Sequence, residues 1–245
     1  MSGDVSFPVR GLTNFILAGC QRMKIRRPKT NVAEFRHRAA GFSLLEMMVV
    51  ALIILIVAKM SFMSLIPALK QQRVNNAYNT TLGAMRQARD NAVSQRTSYS
   101  VTFNITGSSG SITVAPTLSG FQGDQSTVTY KLPTDVTFDA EPPVATTPTP
   151  DGFGSGSTAI DFGYTASGSG SGGQTTIYFC PDGSSQNAVG GAGQCLGNWS
   201  GGVVYIARSG EVLSSRAISL WGGTGRVRGW RLYSNGSGGY QWLRQ

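Results

Sequence analysis

Glu46 is an isolated carboxylate near the start of a long apolar segment, where its charge has to be accommodated. Residues 47–58 contain no polar side chain, whereas basic residues that include Arg36 and Arg38 precede the segment. A charged side chain at the centre of a membrane-spanning helix costs about 2.5–3.5 kcal/mol on insertion scales, so we expect Glu46 to have a specific partner. The alternative is an ordinary signal anchor in which Glu46 extends to the membrane interface.

A second group of reactive side chains lies near the C-terminus, in residues 225–231 with the sequence GRVRGWR. In a β-strand, Arg226 and Arg228 project from the same face. Guanidinium groups bind phosphates and aromatic rings stack on bases, so the strand predicts a DNA-binding surface that includes Trp230. Arg231 is added to this surface because it contributes a further positive charge nearby in the sequence. The alternative is a structural strand whose arginines pair with a neighbouring subunit or with the middle of the same chain, where residues 97–207 carry seven acidic and one basic side chain.

The elements around Glu46 indicate how it is positioned. The sequence Gly41-Phe42-Ser43-Leu44-Leu45-Glu46, set between basic residues and the apolar run, resembles the type III signal of type IV prepilins and pseudopilins. In that family a membrane peptidase cleaves after the glycine and methylates the new N-terminus. The resemblance implies cleavage between Gly41 and Phe42, N-methylation of Phe42, and pairing of the Phe42 amine of one subunit with Glu46 of a neighbour during assembly.

Residues 1–41 form the predicted leader, which carries eight Lys or Arg and two Asp or Glu. Positive charge on one flank of an apolar segment keeps that flank cytoplasmic, so the basic run indicates topology and not nucleic-acid binding. The remaining chain is then expected on the outer side of the bacterial inner membrane, in the periplasm or in a filament. Met23 offers a second start, which would shorten the leader to Met23–Gly41 and remove Cys20.

The pattern beyond the leader predicts an α+β fold. Residues 42–66 have the length of a membrane-spanning helix. Residues 67–97 continue as an amphipathic helix, which Pro67 either kinks or restarts, and its apolar stripe packs on a β-sheet. Residues 98–245 form a β-rich domain with a flexible insertion at 141–173, which is Pro/Thr-rich over residues 141–150 and Gly/Ser-rich over residues 152–173. Strands are expected at 99–105, 111–115, 126–132, 158–163, 175–180, 203–207, 217–221, 226–233 and 240–243.

The helix with an ARxxA pattern that runs directly into a strand, together with the C-terminal segment, resembles the GspH/FimT branch of minor pseudopilins and minor pilins. In the FimT branch, a GRxR motif is associated with DNA binding during natural transformation. The resemblance therefore implies that role for Arg226 and Arg228 only. The middle of the chain departs from the family pattern in length and composition.

Two cysteines, Cys180 and Cys195, follow the membrane segment and are expected in an oxidising compartment. An even number of cysteines there predicts a disulfide. Closing a loop of about 15 residues would contribute roughly 3 kcal/mol in the chain-entropy model. The alternative is a pair of reduced, unrelated thiols.

Catalysis is not expected, because His37 is the only histidine and it falls in the predicted leader. Asp135, Asp139 and Glu141 lie close in sequence, but they lack the alternating spacing of a dedicated Ca²⁺ loop, and a solvated acidic loop is favoured. We therefore expect no metal and no cofactor.

The combined prediction is a minor pilin or pseudopilin subunit of a type II secretion system or a type IV pilus, with a structural role in the filament or at its tip. Its expected partners are other pilins or pseudopilins, contacted through the N-terminal helix, the prepilin peptidase and the inner membrane. The alternative is a pilus-borne DNA receptor for DNA uptake.

Overall fold

A computed structural model describes residues 41–106, 109–118, 127–143, 147–165, 170 and 172–245. Most of the predicted leader, residues 1–40, lies outside the described residues, as do residues 144–146, 166–169 and 171 of the predicted insertion. The chain divides into two units, residues 1–50 and residues 51–245. All packing described below belongs to the second unit.

One helix, α1 (Leu44–Gln95), continues through Pro67 without ending or restarting there. Its large apolar side chains are exposed before Pro67, whereas most of its apolar side chains from Val74 onward are buried. The periodic stripe predicted for the second part is present, because residues spaced by three or four positions lie on one side of a helix. The buried positions are Val74, Ala77, Tyr78, Thr81, Ala84, Met85, Ala88 and Ala92.

Two five-stranded antiparallel sheets follow the helix within the described part of the chain. The first has the strand order β3-β2-β1-β5-β6. Its strands are β1 (Tyr99–Thr106), β2 (Ser109–Pro116), β3 (Val128–Lys131), β5 (Thr176–Phe179) and β6 (Ser185–Gln186). The second has the order β10-β9-β8-β7-β4. Its strands are β4 (Ile160–Tyr164), β7 (Gly201–Arg208), β8 (Glu211–Trp221), β9 (Arg226–Ser234) and β10 (Tyr240–Arg244).

The second sheet is buried on both faces at its centre, where every residue of β7 except the last is buried. Val204 and Ile206 of β7 join the main core, together with the helix stripe and residues of the first sheet. Their neighbours Val203 and Tyr205 belong to a smaller cluster with Phe153. Because successive side chains of a strand point to opposite faces, the segment that contains Phe153 covers the face remote from the helix.

The architecture confirms the α+β prediction, with one long apolar helix packed on an antiparallel β domain. Each of the nine strands predicted from alternation and turn residues corresponds to an observed strand. The sequence pattern missed β6, because a strand of two residues is too short to show a period.

Candidate assembly and binding surfaces

The predicted cleavage and assembly residues lie at the described N-terminal end of the chain. Gly41 and Phe42 precede α1 and are exposed. The amide of Met47 donates to the carbonyl oxygen of Ser43 at 3.1 Å, which closes the first turn. Glu46 lies in this turn, where the positive end of the helix dipole favours a carboxylate. No ion pair among the described residues includes Glu46.

The helix that follows Glu46 is long and apolar enough to cross a membrane, and its most apolar window is not buried inside the molecule. Large side chains such as Leu55, Phe62 and Met63 are at least two-thirds exposed. A helix with apolar side chains on all sides requires either lipid or other helices around it.

The four residues predicted for DNA binding all lie on β9, but the structure places them in three different environments. Arg228 is directed at an acid of its own chain: its guanidinium Nη1 lies 2.7 Å from Asp151 Oδ1. The Arg228 guanidinium also lies over the ring of Trp221, 5.3 Å from the ring centroid. Asp151 accepts further hydrogen bonds from the indole of Trp221 and the hydroxyl of Ser219. Arg228 is therefore neutralised internally.

Trp230 is also committed to internal contacts. Its indole Nε1–H donates to Ser219 Oγ at 2.9 Å. The ring packs against the cluster that contains Phe153 and Tyr205. An aromatic ring held in this way does not provide a free stacking surface for a base.

Arg226, by contrast, is exposed at the beginning of β9. It lines an open groove of about 460 Å³ with Arg86, Arg89 and Asp90 of α1. Arg89 is held in place there, because its Nε donates to the carbonyl oxygen of Gly183 and its Nη2 to that of Thr224, both at 3.1 Å. Three arginines against one aspartate leave the groove with a positive charge of two.

The two glycines of the GRVRG sequence have structural explanations. A Cβ on Gly229 would overlap the hydroxyl of Tyr78, so the absence of a side chain lets α1 approach β9. Gly225 has a φ of +57°, a left-handed conformation that disfavours other residues. A Cβ there would overlap the carbonyl oxygen of Gly183. At both positions, other parts of the same chain lie close to the glycine backbone.

Arg231 projects from the opposite face of β9 to Arg228, as strand alternation requires. It lines a different cavity, of about 390 Å³, with residues that include Pro67, Lys70 and Arg216. Its guanidinium lies over the ring of Tyr233, 5.2 Å from the centroid. The structure therefore separates Arg231 from the other three predicted residues.

Arg216 is a buried cation, with 1% of its surface exposed. Its Nη1 donates to the carbonyl oxygens of Ser214 and Ser215, and its Nη2 to Asn75 Oδ1 at 3.0 Å. Burial, and to a lesser extent the nearby charge of Arg231, lowers the pKa of Arg216 to about 10. The cost of removing this cation from water is the larger of the two effects.

Cys180 and Cys195 form a disulfide, with their Cα atoms 6.1 Å apart. Cys180 directly follows β5, and the bridged loop includes β6. At the start of this loop, Asp182 accepts hydrogen bonds from the hydroxyl and the amide of Ser184 at 2.6 and 2.9 Å. The hydroxyl contact contributes most to lowering the pKa of Asp182 below its usual value.

Two of the three acidic residues considered for Ca²⁺, Asp135 and Glu141, bind other groups of the protein. Asp135 accepts ion pairs from Arg73 and Arg208, each at 3.2 Å. Glu141 accepts a hydrogen bond from the amide of Gly210 at 2.8 Å. Within the described residues, no group of three or more metal-ligand side chains is assembled.

Several residues of these surfaces were missed by the sequence reasoning. Asp151 is 77 positions from Arg228, and no local pattern links the two. The helical period did contain a signal for Arg86 and Arg89, which are three residues apart and so lie on adjacent positions of one helix side. Arg216 was also detectable, as a single cation that precedes the buried run Ala217 to Leu220.

Comparison with known proteins identifies the N-terminal segment. Residues 36–58 match the family described as the prokaryotic N-terminal methylation motif. This match includes Gly41, Phe42 and Glu46 and supports membership of the type IV pilin and pseudopilin family. No curated protein and no solved structure matches the chain.

Proposed function

We propose that this protein is a minor pilin or pseudopilin, a structural subunit of a type II secretion or type IV pilus filament and not an enzyme. The observation that carries the proposal is the methylation motif followed directly by a helix whose membrane half is exposed. The chain would be held in the bacterial inner membrane by a single span, with residues 98–245 on the periplasmic side. The prepilin peptidase would cleave it between Gly41 and Phe42.

The physical reason for assembly lies in the same segment. After cleavage, the Phe42 amine and the Glu46 carboxylate would both lie at a depth where an uncompensated charge is costly. Pairing of the Phe42 amine of one subunit with Glu46 of the next neutralises both charges. Packing of the apolar helices then buries side chains that have no partner inside the molecule.

Mass spectrometry of the mature protein tests the processing step. We expect an N-terminus at Phe42 that carries one methyl group. The variant Gly41→Leu should accumulate as the uncut precursor, because a bulky residue blocks cleavage at that position. A mature N-terminus located after the apolar segment would contradict the proposal.

The variant Glu46→Ala tests the assembly step. It should be cleaved and inserted into the membrane like the native chain, but its recovery in sheared filaments should fall at least tenfold. Ser61→Ala is the matched control, because Ser61 also lies in the membrane half and its hydroxyl bonds only to the helix carbonyl of Val57. Equal filament recovery of Glu46→Ala and the control would refute the charge pairing.

DNA binding is the second candidate function, and the groove of Arg226, Arg86 and Arg89 is the observation that favours it. The ion pair between Arg228 and Asp151 weakens it, because one of the two motif arginines is already neutralised. The groove presents charge without a recognition helix, so its contacts would be with phosphates and independent of base sequence.

Duplex DNA binding by the detergent-solubilised full chain tests this candidate. With two or three arginines engaged, the slope of log K against log salt should be about −2 to −3. Arg226→Gln should weaken binding strongly and Arg228→Gln only slightly, whereas Asp151→Asn should strengthen it by releasing Arg228. If the native protein does not bind DNA at low salt, the receptor function is refuted and only the structural role remains.

A further inference from the structure

The cavity that contains Arg231 lies where α1 leaves its apolar run. From the helix it is lined by Pro67, Lys70 and Val74. A helix rises 1.5 Å per residue, so Lys70 lies about 6 Å and Val74 about 12 Å beyond the last apolar membrane residue, Ile66. A bilayer extends roughly 5–8 Å on each side beyond its hydrocarbon core, so with Ile66 at the edge of that core Pro67 and Lys70 would lie at headgroup depth and Val74 just beyond it.

The β domain supplies most of the charge of this cavity. Arg208, Arg216 and Arg231 line it together with Lys70, and Glu211 is the acid among its lining residues. Glu211 lies 3.9 Å from Lys70 Nζ and also pairs with Arg208. The lining therefore carries a net charge of three positive units. Asp135 lies outside the lining but pairs with Arg208, which lowers the excess of positive charge around the cavity to two.

Two cations of the lining have no acidic partner. None of the ion pairs among the described residues includes Arg216 or Arg231. In both side chains the Nε atom has no hydrogen-bond partner. Arg216 makes three hydrogen bonds with its five N–H donors, all of them to neutral oxygen atoms. A buried cation without an acidic partner is costly, and an anion brought next to it lowers that cost.

We propose that this cavity binds the phosphate of a membrane phospholipid headgroup, with Lys70 and Arg231 contacting the phosphate and Arg216 supplying charge from beneath. The apolar lining supports a lipid over a free anion. Pro67 and the exposed side chain of Leu213 form the part of the wall that a glycerol backbone and the first acyl carbons would contact. The excess of positive charge favours an anionic lipid over a zwitterionic one.

Such a site would hold the β domain against the membrane surface while the subunit waits for assembly. The headgroup would have to be released when the subunit leaves the bilayer. The inference depends on the membrane anchor of the proposed function but not on filament incorporation, so the two can fail separately.

Native mass spectrometry of the full chain in detergent provides the test. The probes are phosphatidylglycerol and phosphatidylcholine with identical acyl chains. We expect the native protein to retain phosphatidylglycerol as a one-to-one adduct and phosphatidylcholine more weakly. Lys70→Gln with Arg231→Gln should reduce phosphatidylglycerol affinity at least tenfold, because both side chains that contact the phosphate lose their charge.

Arg86→Gln with Arg226→Gln is the matched control, because it removes the same number of positive charges from the other groove. This variant should retain phosphatidylglycerol like the native protein. Equal losses in both double variants would show that lipid retention depends on total charge only and would overturn the site. Absence of any lipid adduct on the native protein would overturn it as well.

Two further measurements test whether the ligand is a lipid and whether its binding stabilises the protein. Inorganic phosphate at millimolar concentration should not displace the lipid, and displacement would overturn the lipid assignment in favour of a free-anion site. Addition of phosphatidylglycerol should raise the unfolding temperature of the native protein but not that of Lys70→Gln with Arg231→Gln. None of the four substituted side chains is fully buried, so both double variants should fold. Circular dichroism checks this.

Discussion

The two halves of α1 have similar helical geometry but opposite relations to the rest of the molecule. Before Pro67 the apolar side chains are exposed, and Met48 keeps 67% of its surface accessible. After Pro67 one side of the helix is buried against the sheets, and Met85 has no accessible surface. Residues 47–58 of the first half are apolar on every side, whereas the second half has a narrow apolar stripe on an otherwise polar surface.

This difference indicates that the two halves are stabilised by different surroundings. Burial of the stripe contributes to the free energy of folding of the β domain, at about 25 cal/mol per Å² of apolar surface. The exposed half makes no such contribution, and its apolar side chains require lipid or other helices around them. Substitutions in the two halves should therefore affect two different measurements, domain stability and assembly.

The largest expected effect on stability distinguishes the two halves of α1, when a methionine is replaced by alanine in each. Met85→Ala should lower the free energy of unfolding of the β domain by about 2–5 kcal/mol, because it opens a cavity between helix and sheets. Met48→Ala should change it by less than about 0.5 kcal/mol. Denaturant titration of the full chain in detergent, followed by tryptophan fluorescence, measures both. Equal losses would mean that the halves do not differ as described.

Removal of the disulfide should have the next largest effect. The bridge spans a sequence separation of 15 residues, for which the chain-entropy model gives about 3 kcal/mol. Cys180→Ser with Cys195→Ser should lower the unfolding temperature, and reducing agent should lower that of the native protein but not of the variant. A native protein insensitive to reduction would contradict this expectation. Helix content of the membrane half should remain unchanged.

A smaller loss should follow from Gly229→Ala, because the new Cβ meets the Tyr78 hydroxyl where α1 rests on β9. Such overpacking costs about 1–3 kcal/mol. Gly223→Ala is the control, since the nearest atom to its Cβ is a Trp199 ring carbon at 3.6 Å. If the two variants are equally stable, the close approach of α1 to β9 does not contribute to stability.

The smallest expected effect concerns pH. The pKa of Asp182 is lowered in the folded state, so its contribution to stability is present above the unfolded value of 3.8 and is lost as pH falls through the folded value. Asp182→Asn should therefore reduce the difference between the unfolding temperatures at pH 7 and pH 2. Asp90→Asn removes the same charge from the helix surface and serves as the control. An identical pH response in the two variants would contradict the role of Asp182.

Much of this fold was predictable from local patterns. The stripe of α1 was predicted from its spacing, and the strands from alternation and turn residues, because these signals arise within a few neighbouring positions. A long apolar helix at this end of the chain was predicted for the same reason. Local patterns did not predict which of the two sheets each strand joins, because strand pairing depends on contacts between distant segments.

The binding surfaces were predicted less well than the fold. Arg226 and Arg228 were correctly placed on one strand, but the pairing of Arg228 with Asp151 depends on how residues 147–165 cover the second sheet. Arg231 was grouped with them by charge, although alternation already puts odd and even positions on opposite faces. The buried state of Arg216 follows from three-dimensional packing, which no spacing rule contains.

The packing of Tyr78 against Gly229 also has an evolutionary consequence. The two glycines of the GRVRG sequence are required by the close approach of the chain to itself, whatever the arginines bind. Selection for folding would therefore retain the glycines in a lineage that had lost any nucleic-acid ligand, while the exposed Arg226 would be free to drift. Among descendants of such a protein, the glycine spacing would report the contact between helix and sheet, and only the arginine positions would carry a record of the ligand.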